Sequence, residues 1–254
     1  MLKREEVIKV QEIANNAWPA KEVFFLNGWI IRFSDGATSR ANSVLPLDYR
    51  GNDLESDIMK VEEAYRYHAL NPIFMLHDYY CPSGLNSKLL SLDYQPTEYT
   101  VDIMGLDIEK FPKIVNQTEF EIESSLERTE EWSEALFRLD TNRTKNVRRG
   151  IFNIIDRIIV PQKRFFSIKV GKQIIGILLG ILDRGYLGIM DLIVDPEFQR
   201  RGAATMLLAN TIEWTKQRNG RYMYLQVVRE NQGAVQLYKQ LNFKNWFSYY
   251  YMIK

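Results

Sequence analysis

The stretch Val194-Asp195-Pro196-Glu197-Phe198-Gln199-Arg200-Arg201-Gly202-Ala203-Ala204 limits the fold more than any other, because a strand must end and a helix must begin within it. Before it, Leu187-Gly188-Ile189-Met190-Asp191-Leu192-Ile193-Val194 is short, mostly apolar and rich in branched residues, which predicts a buried strand. After it, Ala204, Leu207, Leu208, Thr211, Ile212 and Thr215 recur at i, i+3, i+4, i+7, i+8 and i+11, which predicts a helix with one buried face. N–H groups at a helix start have no intrahelical partner and sit at the positive end of the helix dipole. Gly202, Ala203 and Ala204 put no bulk in front of them, so the loop reads either as a cradle for a phosphate or as an ordinary surface turn that glycine opens.

A second pattern follows at strand distance. Asn219-Gly220 ends the helix, Tyr222 to Val228 reads as another buried strand, and Asn231-Gln232-Gly233-Ala234-Val235-Gln236-Leu237-Tyr238-Lys239-Gln240-Leu241-Asn242-Phe243 comes next. The spacing Gln199-x-x-Gly202-x-Ala204 resembles the pyrophosphate loop of the GNAT superfamily of acetyl-CoA-dependent N-acetyltransferases. The later stretch resembles that superfamily's next motif, with Asn231, Ala234, Leu237-Tyr238 and Asn242-Phe243 at its intervals. Asn242 stands where glycine is usual, and asparagine is the side chain that best tolerates the left-handed conformation at a helix end. The resemblance spans residues 122 to 254, its specific part 187 to 243.

Composition narrows the partners. With 33 basic and 32 acidic residues, the chain has no charge excess to suit a nucleic-acid or membrane surface. The longest apolar stretch, Ile174 to Leu182, is too short to span a bilayer, and no apolar run follows the charges of Met1-Leu2-Lys3-Arg4-Glu5-Glu6. A soluble, cytoplasmic protein is expected. Cys81 is the only cysteine and His68 and His77 the only histidines, so no internal disulfide forms and no metal is expected. His77, closing the run Ile73 to Leu76, reads as a strand-end histidine. The chain has no Gly-x-Ser-x-Gly, no Walker loop and no Gly-x-Gly-x-x-Gly. The cluster Arg143, Lys145, Arg148 and Arg149 has the charge to attract the phosphates of a coenzyme, but reads rather as a solvated helix face.

Laid on itself with a shift of 149 residues, the chain repeats. Ser43-Val44-Leu45-Pro46 falls on Leu192-Ile193-Val194-Asp195, Ile73 to His77 on Tyr222 to Gln226, and Leu92-Asp93-Tyr94 on Leu241-Asn242-Phe243, with no gap. The first copy has lost the chemistry: Gly202 is matched by Asp53, whose carboxylate repels a pyrophosphate, Asn231 by Pro82 and Tyr238 by Leu89. The expected fold is α/β, two tandem GNAT-like domains, each a mixed, largely antiparallel central sheet flanked by helices. Residues 1–108 form a degenerate copy without a cofactor loop, 109–121 a linker and 122–254 the catalytic copy. Trp29-x-x-Arg32-Phe33 and Arg40 to Pro46 resemble the N-terminal half of bacterial tandem GNAT proteins. Gly28 to Phe33 and Thr38 to Leu47 are expected as a hairpin turning at Asp35-Gly36. Arg32, Arg40 and Asn42 read as lining an acceptor pocket or as a polar face of that hairpin.

The superfamily resemblance implies roles. Backbone N–H groups of Arg201, Gly202, Ala203 and Ala204 would hold the pyrophosphate of acetyl-CoA, bordered by Gln199 and Arg200, with Asn231 beside the cofactor. Leu192, Ile193 and Val194 would pair with the pantetheine arm, and an N–H there, at Val194, would polarise the thioester. Tyr238 would protonate the leaving thiolate, although on its helix it also reads as a core aromatic. Asp191 and Glu230 are the carboxylates placed to serve as base, with a water chain as the alternative. The acceptor is a small-molecule or peptide amine whose identity the sequence does not give. A non-catalytic acyl-CoA sensor or scaffold and an aminoacyl transferase are the other readings.

Overall fold

In the computed structural model, which describes residues 2–114 and 119–254, the chain opens with α1 (Arg4–Ala17). Its face Val7, Val10, Ile13, Ala14 and Ala17 repeats every three or four residues and is buried. The next elements are β1 (Glu22–Leu26) and β2 (Trp29–Phe33), paired in a hairpin closed by Asn27-Gly28. Both turn residues have positive φ, 47° and 91°, as a two-residue loop of this hand demands. The hairpin therefore lies one segment earlier than the sequence suggested. Asp35 and Gly36 do turn with positive φ, but the chain beyond them forms a short 3-10 turn, Ser39–Ala41, and returns only in single bridges from Leu45 to Ile30 and from Val44 to Phe74. The side chain of Asn42 explains this: its Oδ1 accepts the N–H groups of Ser34 (2.6 Å) and Gly36 (3.2 Å), donors that a second strand would have needed.

The first half continues through α2 (Leu54–Tyr67), β3 (Ile73–His77), α3 (Leu85–Ser91), β4 (Gln95–Pro96) and β5 (Val101–Asp107). His77 ends β3 and is buried, with burial pulling its pKa down to about 4. The connector expected over 109–121 includes residues 115–118, which lie outside the described residues; its start, Ile108–Lys110, is a 3-10 turn packed on the second half through Ile108. The second half comprises β6 (Glu121–Ser125), α4 (Glu130–Leu139), α5 (Lys145–Asp156), β7 (Lys163–Val170), β8 (Gln173–Asp183), β9 (Tyr186–Val194), α6 (Ala203–Lys216), β10 (Tyr222–Val228), α7 (Gln232–Gln240) and β11 (Lys244–Ile253).

The shift of 149 residues carries α2 onto α6 end for end, β3 onto the first five residues of β10, and α3 into α7. The halves are not two separate sheets, however. One nine-stranded sheet runs in the order β3-β11-β5-β10-β9-β8-β7-β6, with β4 also against β11, antiparallel throughout except where β9 meets β10. Each half thus gives its closing strand to the other: β5 pairs with β10, β11 pairs with β3, and β5 and β11 pair with each other. On one face α6 and α7 cover Ile175, Leu178, Met223 and Leu225; on the other, α1, α4 and α5 cover Ile177, Leu179, Met190 and Tyr224. Among the described residues no helix is long and apolar enough to cross a membrane.

Candidate active site

β9 and β10 are neighbours that part. Their parallel pairing runs from Tyr186↔Tyr222 to Ile189↔Leu225; beyond it β9 follows β8 to Val194↔Gly176, whereas β10 follows β5 to Val228↔Val101. The register of β8 against β9 shifts between Ile177 and Leu179, and Asp191 has φ of +46°. A bulge of this kind bends its strand, here away from β10. Leu192, Ile193 and Val194 consequently have β8 along one edge and no strand along the other, among the described residues.

The loop after β9 is folded by its own side chains. Asp195 Oδ1 accepts the Glu197 N–H at 3.1 Å, and Gln199 Nε2 donates to the Val194 carbonyl at 3.2 Å, tying the loop back to the strand end. Gln199 is thereby a brace for the cradle. Arg200 has φ of 59°, and Gly202, at 88°, caps α6 without any side-chain cap. The first amide to find a helical acceptor is that of Met206, on Gly202 O at 2.9 Å. The N–H groups of Arg201, Gly202, Ala203 and Ala204 have no acceptor among the described residues, so the donors of this helix start are unengaged, the arrangement that suits an anion. The Arg201 side chain turns aside to Glu119 (2.8 Å) and lies over Phe198. At the matching position of the first half, the Asp53 carboxylate caps α2 itself, accepting the Ser56 N–H at 3.0 Å.

Asn231 caps α7: its Oδ1 accepts the Ala234 N–H at 3.2 Å, so its carbonyl end is engaged in capping. Two turns on, Tyr238 is 8% exposed against Phe243, and burial pushes its hydroxyl up to about 12. Asn242 closes the helix with φ of 68°, the conformation its glycine-like position requires. Glu230 lies exposed in the turn before α7. Asp191 does not: its side chain is 3% exposed, Oδ1 accepts from Arg143 at 3.0 Å, and Oδ2 is buried with no partner among the described residues. Asp140, at the end of α4, stands 3.4 Å from the same guanidinium. Burial raises its carboxyl, and the charge of Asp191 adds to the rise against the opposing pull of Arg143.

Asp140 carries no signal in the sequence, and Arg143 reads there only as part of the basic cluster. Of the basic cluster, Arg143 and Arg148 are structural, Arg148 donating to the carbonyls of Phe137 and Asp140 at 2.6 and 2.7 Å, while Lys145 and Arg149 are exposed. Arg32 is buried, donating to Ser43 and Asn15, so only Arg40 of the three N-terminal polar residues reaches β9.

Residues 5–252 match the family described as "Probable histone acetyltransferase Rv0428c C-terminal". The uncharacterized N-acetyltransferase YobR of Bacillus subtilis (strain 168) is 25% identical over 252 residues, covering 98% of this chain and 99% of its own. Among solved structures, a GCN5-related N-acetyltransferase from Kribbella flavida superposes with a TM-score of 0.71 at 9% identity, covering 98% of this chain and 94% of that one. A tandem GNAT protein from the clavulanic acid biosynthesis pathway superposes at 0.63 with 12% identity, covering 79% and 69%.

Proposed function

Because this chain belongs to the Rv0428c C-terminal family and is a GNAT acetyltransferase, we propose that it transfers the acetyl group of acetyl-CoA to a small-molecule or peptide amine by direct attack in a ternary complex. The observation that carries the reading is the open start of α6 beside the point where β9 and β10 part. The amides of Arg201 to Ala204 hold the pyrophosphate, bordered by Gln199, Arg200 and Asn231. Leu192 to Val194 offer their free edge to the pantetheine amides, as a sheet edge takes an added strand. The thioester then lies against Met190 on the face away from α6.

The bond changes balance without any metal. The lone pair of the neutral amine forms the N–C bond, an N–H group of β9 stabilises the charge developing on oxygen, and the C–S pair leaves with sulfur. Tyr238 gives that sulfur a proton. The surplus amine proton passes to a carboxylate or through water. Asp191 supports the base role because its spare oxygen stands at the bulge, next to the residue where the strands part; Glu230 is the solvent-exposed second carboxylate. Residues 1–108 act as a degenerate copy that binds no cofactor, since Asp53 fills its own helix start, with 109–121 the linker and 122–254 the catalytic copy. The protein works in the cytoplasm.

Calorimetry with acetyl-CoA and thiol release over a broad amine panel test the reading. One acetyl-CoA bound per chain and amine-dependent release are expected. Gly202→Asp, which copies the first half, weakens acetyl-CoA at least about tenfold, the scale of one lost charge-assisted contact. Two molecules bound per chain, or tight binding with no amine turned over, overturns it.

A further inference from the structure

Arg40, in the turn Ser39–Ala41 of the first half, crosses to the second and puts Nη1 3.2 Å from Sδ of Met190, the β9 residue just past the last pair with β10. Its guanidinium lies 5.0 Å over the Trp18 ring, half-buried, with no carboxylate at ion-pair distance among the described residues. A thioether is a weak acceptor, so most of a five-donor fork goes unanswered there. Behind it stands a second uncompensated cation. Arg32 is 2% exposed and donates only to neutral acceptors, the carbonyl (2.9 Å) and Oγ (2.7 Å) of Ser43 and Oδ1 of Asn15 (2.9 Å). Burial pulls its pKa down to about 10, with the charge of Arg40 adding to the fall.

The same band holds further polar groups, two of them with atoms lacking a partner among the described residues. Tyr249 donates to Gln226 Oε1 at 2.7 Å, on the β10 residue just beyond the last pair with β9. The hydroxyl of Tyr224 is fully buried with no partner, as is Oδ2 of Asp191. Met190 is therefore flanked by a carboxylate with a spare oxygen, on the residue that follows it, and by a guanidinium lacking an anion. Charge left unpaired at a partly buried site is unfavourable, and an oppositely charged ligand relieves it.

We propose that the acceptor is an amine that also bears a carboxylate, an amino-acid-like molecule, with the carboxylate seated on the fork of Arg40 and the amine directed to the Asp191 side of Met190. This rests on the acetyltransferase reading above and adds the substrate class to it. The carboxylate takes no part in the bond changes; it orients the amine through paired N–H···O contacts, for which a guanidinium is shaped and an ammonium is not. The first half, which holds no cofactor, thus supplies acceptor recognition.

Thiol release at fixed acetyl-CoA is measured for matched sets: α-amino acids, their carboxamides and their decarboxylated amines. The native protein is expected to prefer the carboxylate member of each set at least about tenfold in kcat/KM. Arg40→Met raises KM for that member and collapses the preference, and Arg40→Lys restores only part of it. Equal kcat/KM within each set, or a preference that survives Arg40→Met, overturns the proposal. The native comparison decides even if a variant does not fold. Calorimetry run alongside separates the two readings. Acetyl-CoA bound with only carboxylate-free amines acetylated overturns this inference alone; no acetyl-CoA bound, or none of the amines acetylated, overturns the enzyme reading and this one with it.

Discussion

As the proposed acid, Tyr238 is held by α7 in a buried position. Burial pushes its hydroxyl up to about 12, above the ordinary value near 10, so the phenol keeps its proton throughout the range in which acetyl transfer is measured. The fold favours the neutral form, so the stability this contributes is full below about pH 10 and is lost as pH rises through about 12. Tyr238→Phe should lower kcat about 10²-fold or more, the usual worth of general acid catalysis, with acetyl-CoA affinity unchanged by calorimetry. A kcat equal to that of the native protein would remove Tyr238 from the mechanism. Its position was legible because the motif around it is local, as were Gly202 and Asn242, whose left-handed backbones only a few residue types accept. The meeting of Asp191 and Asp140 on the guanidinium of Arg143 was not legible. Nothing in the spacing of residues 140, 143 and 191 announces that the corner after α4 lies on the bulge of β9.

Elements with strong periodicity and caps were readable to within a residue or two. α4 covers Glu130–Leu139, where Trp132, Ala135, Leu136 and Leu139 make one buried face at helical spacing and Thr129 Oγ1 accepts the Trp132 N–H at 3.1 Å. The N-terminal hairpin was misplaced because two Asn/Asp-Gly pairs compete and a side chain, Asn42, decides between them. Least legible was β5, whose partners lie in the other half. Its place is fastened by Asp102, which accepts from Arg229 Nη2 (2.6 Å), Ser248 Oγ (2.7 Å) and Asn245 Nδ2 (3.3 Å) on the strands and turns to either side. Burial alone would raise the Asp102 carboxyl, but the hydrogen bonds from Arg229 and Ser248 outweigh it and hold it below the ordinary value. A depressed carboxylate contributes stability above about pH 4 that is lost as pH falls further. Asp102→Asn should therefore lower Tm by about 3–10 °C at neutral pH, as expected for about 1–3 kcal/mol in a chain of this size. The deficit should shrink in acid. Calorimetric melts across pH 3 to 7 check this, and equal Tm values at pH 7 would show that the clasp adds nothing.

At the scale of the molecule, the exchange of closing strands makes the two halves one folding unit. β10 is paired along its whole length with β5, from Tyr222↔Asp107 to Val228↔Val101, and the buried side chains of Ile103, Met104 and Leu106 come with that strand. Residues 119–254 by themselves keep the loop at Gly202 and the proposed acid Tyr238, yet they lose the strand between β10 and β11 and the partner β3 on the far side of β11. One edge of β10, both edges of β11 and the uncovered faces of Tyr249 and Tyr251 then meet water, the situation that leads sheets to aggregate. Residues 119–254 alone should accordingly fail to give a monomer that binds acetyl-CoA, and residues 1–118 supplied as a second chain should restore binding. Size-exclusion chromatography and calorimetry on the separate and mixed halves read the outcome. A monomeric, acetyl-CoA-binding second half would mean that β11 can move over to β10 and close the sheet alone, and that the first half is needed for the acceptor rather than for the fold.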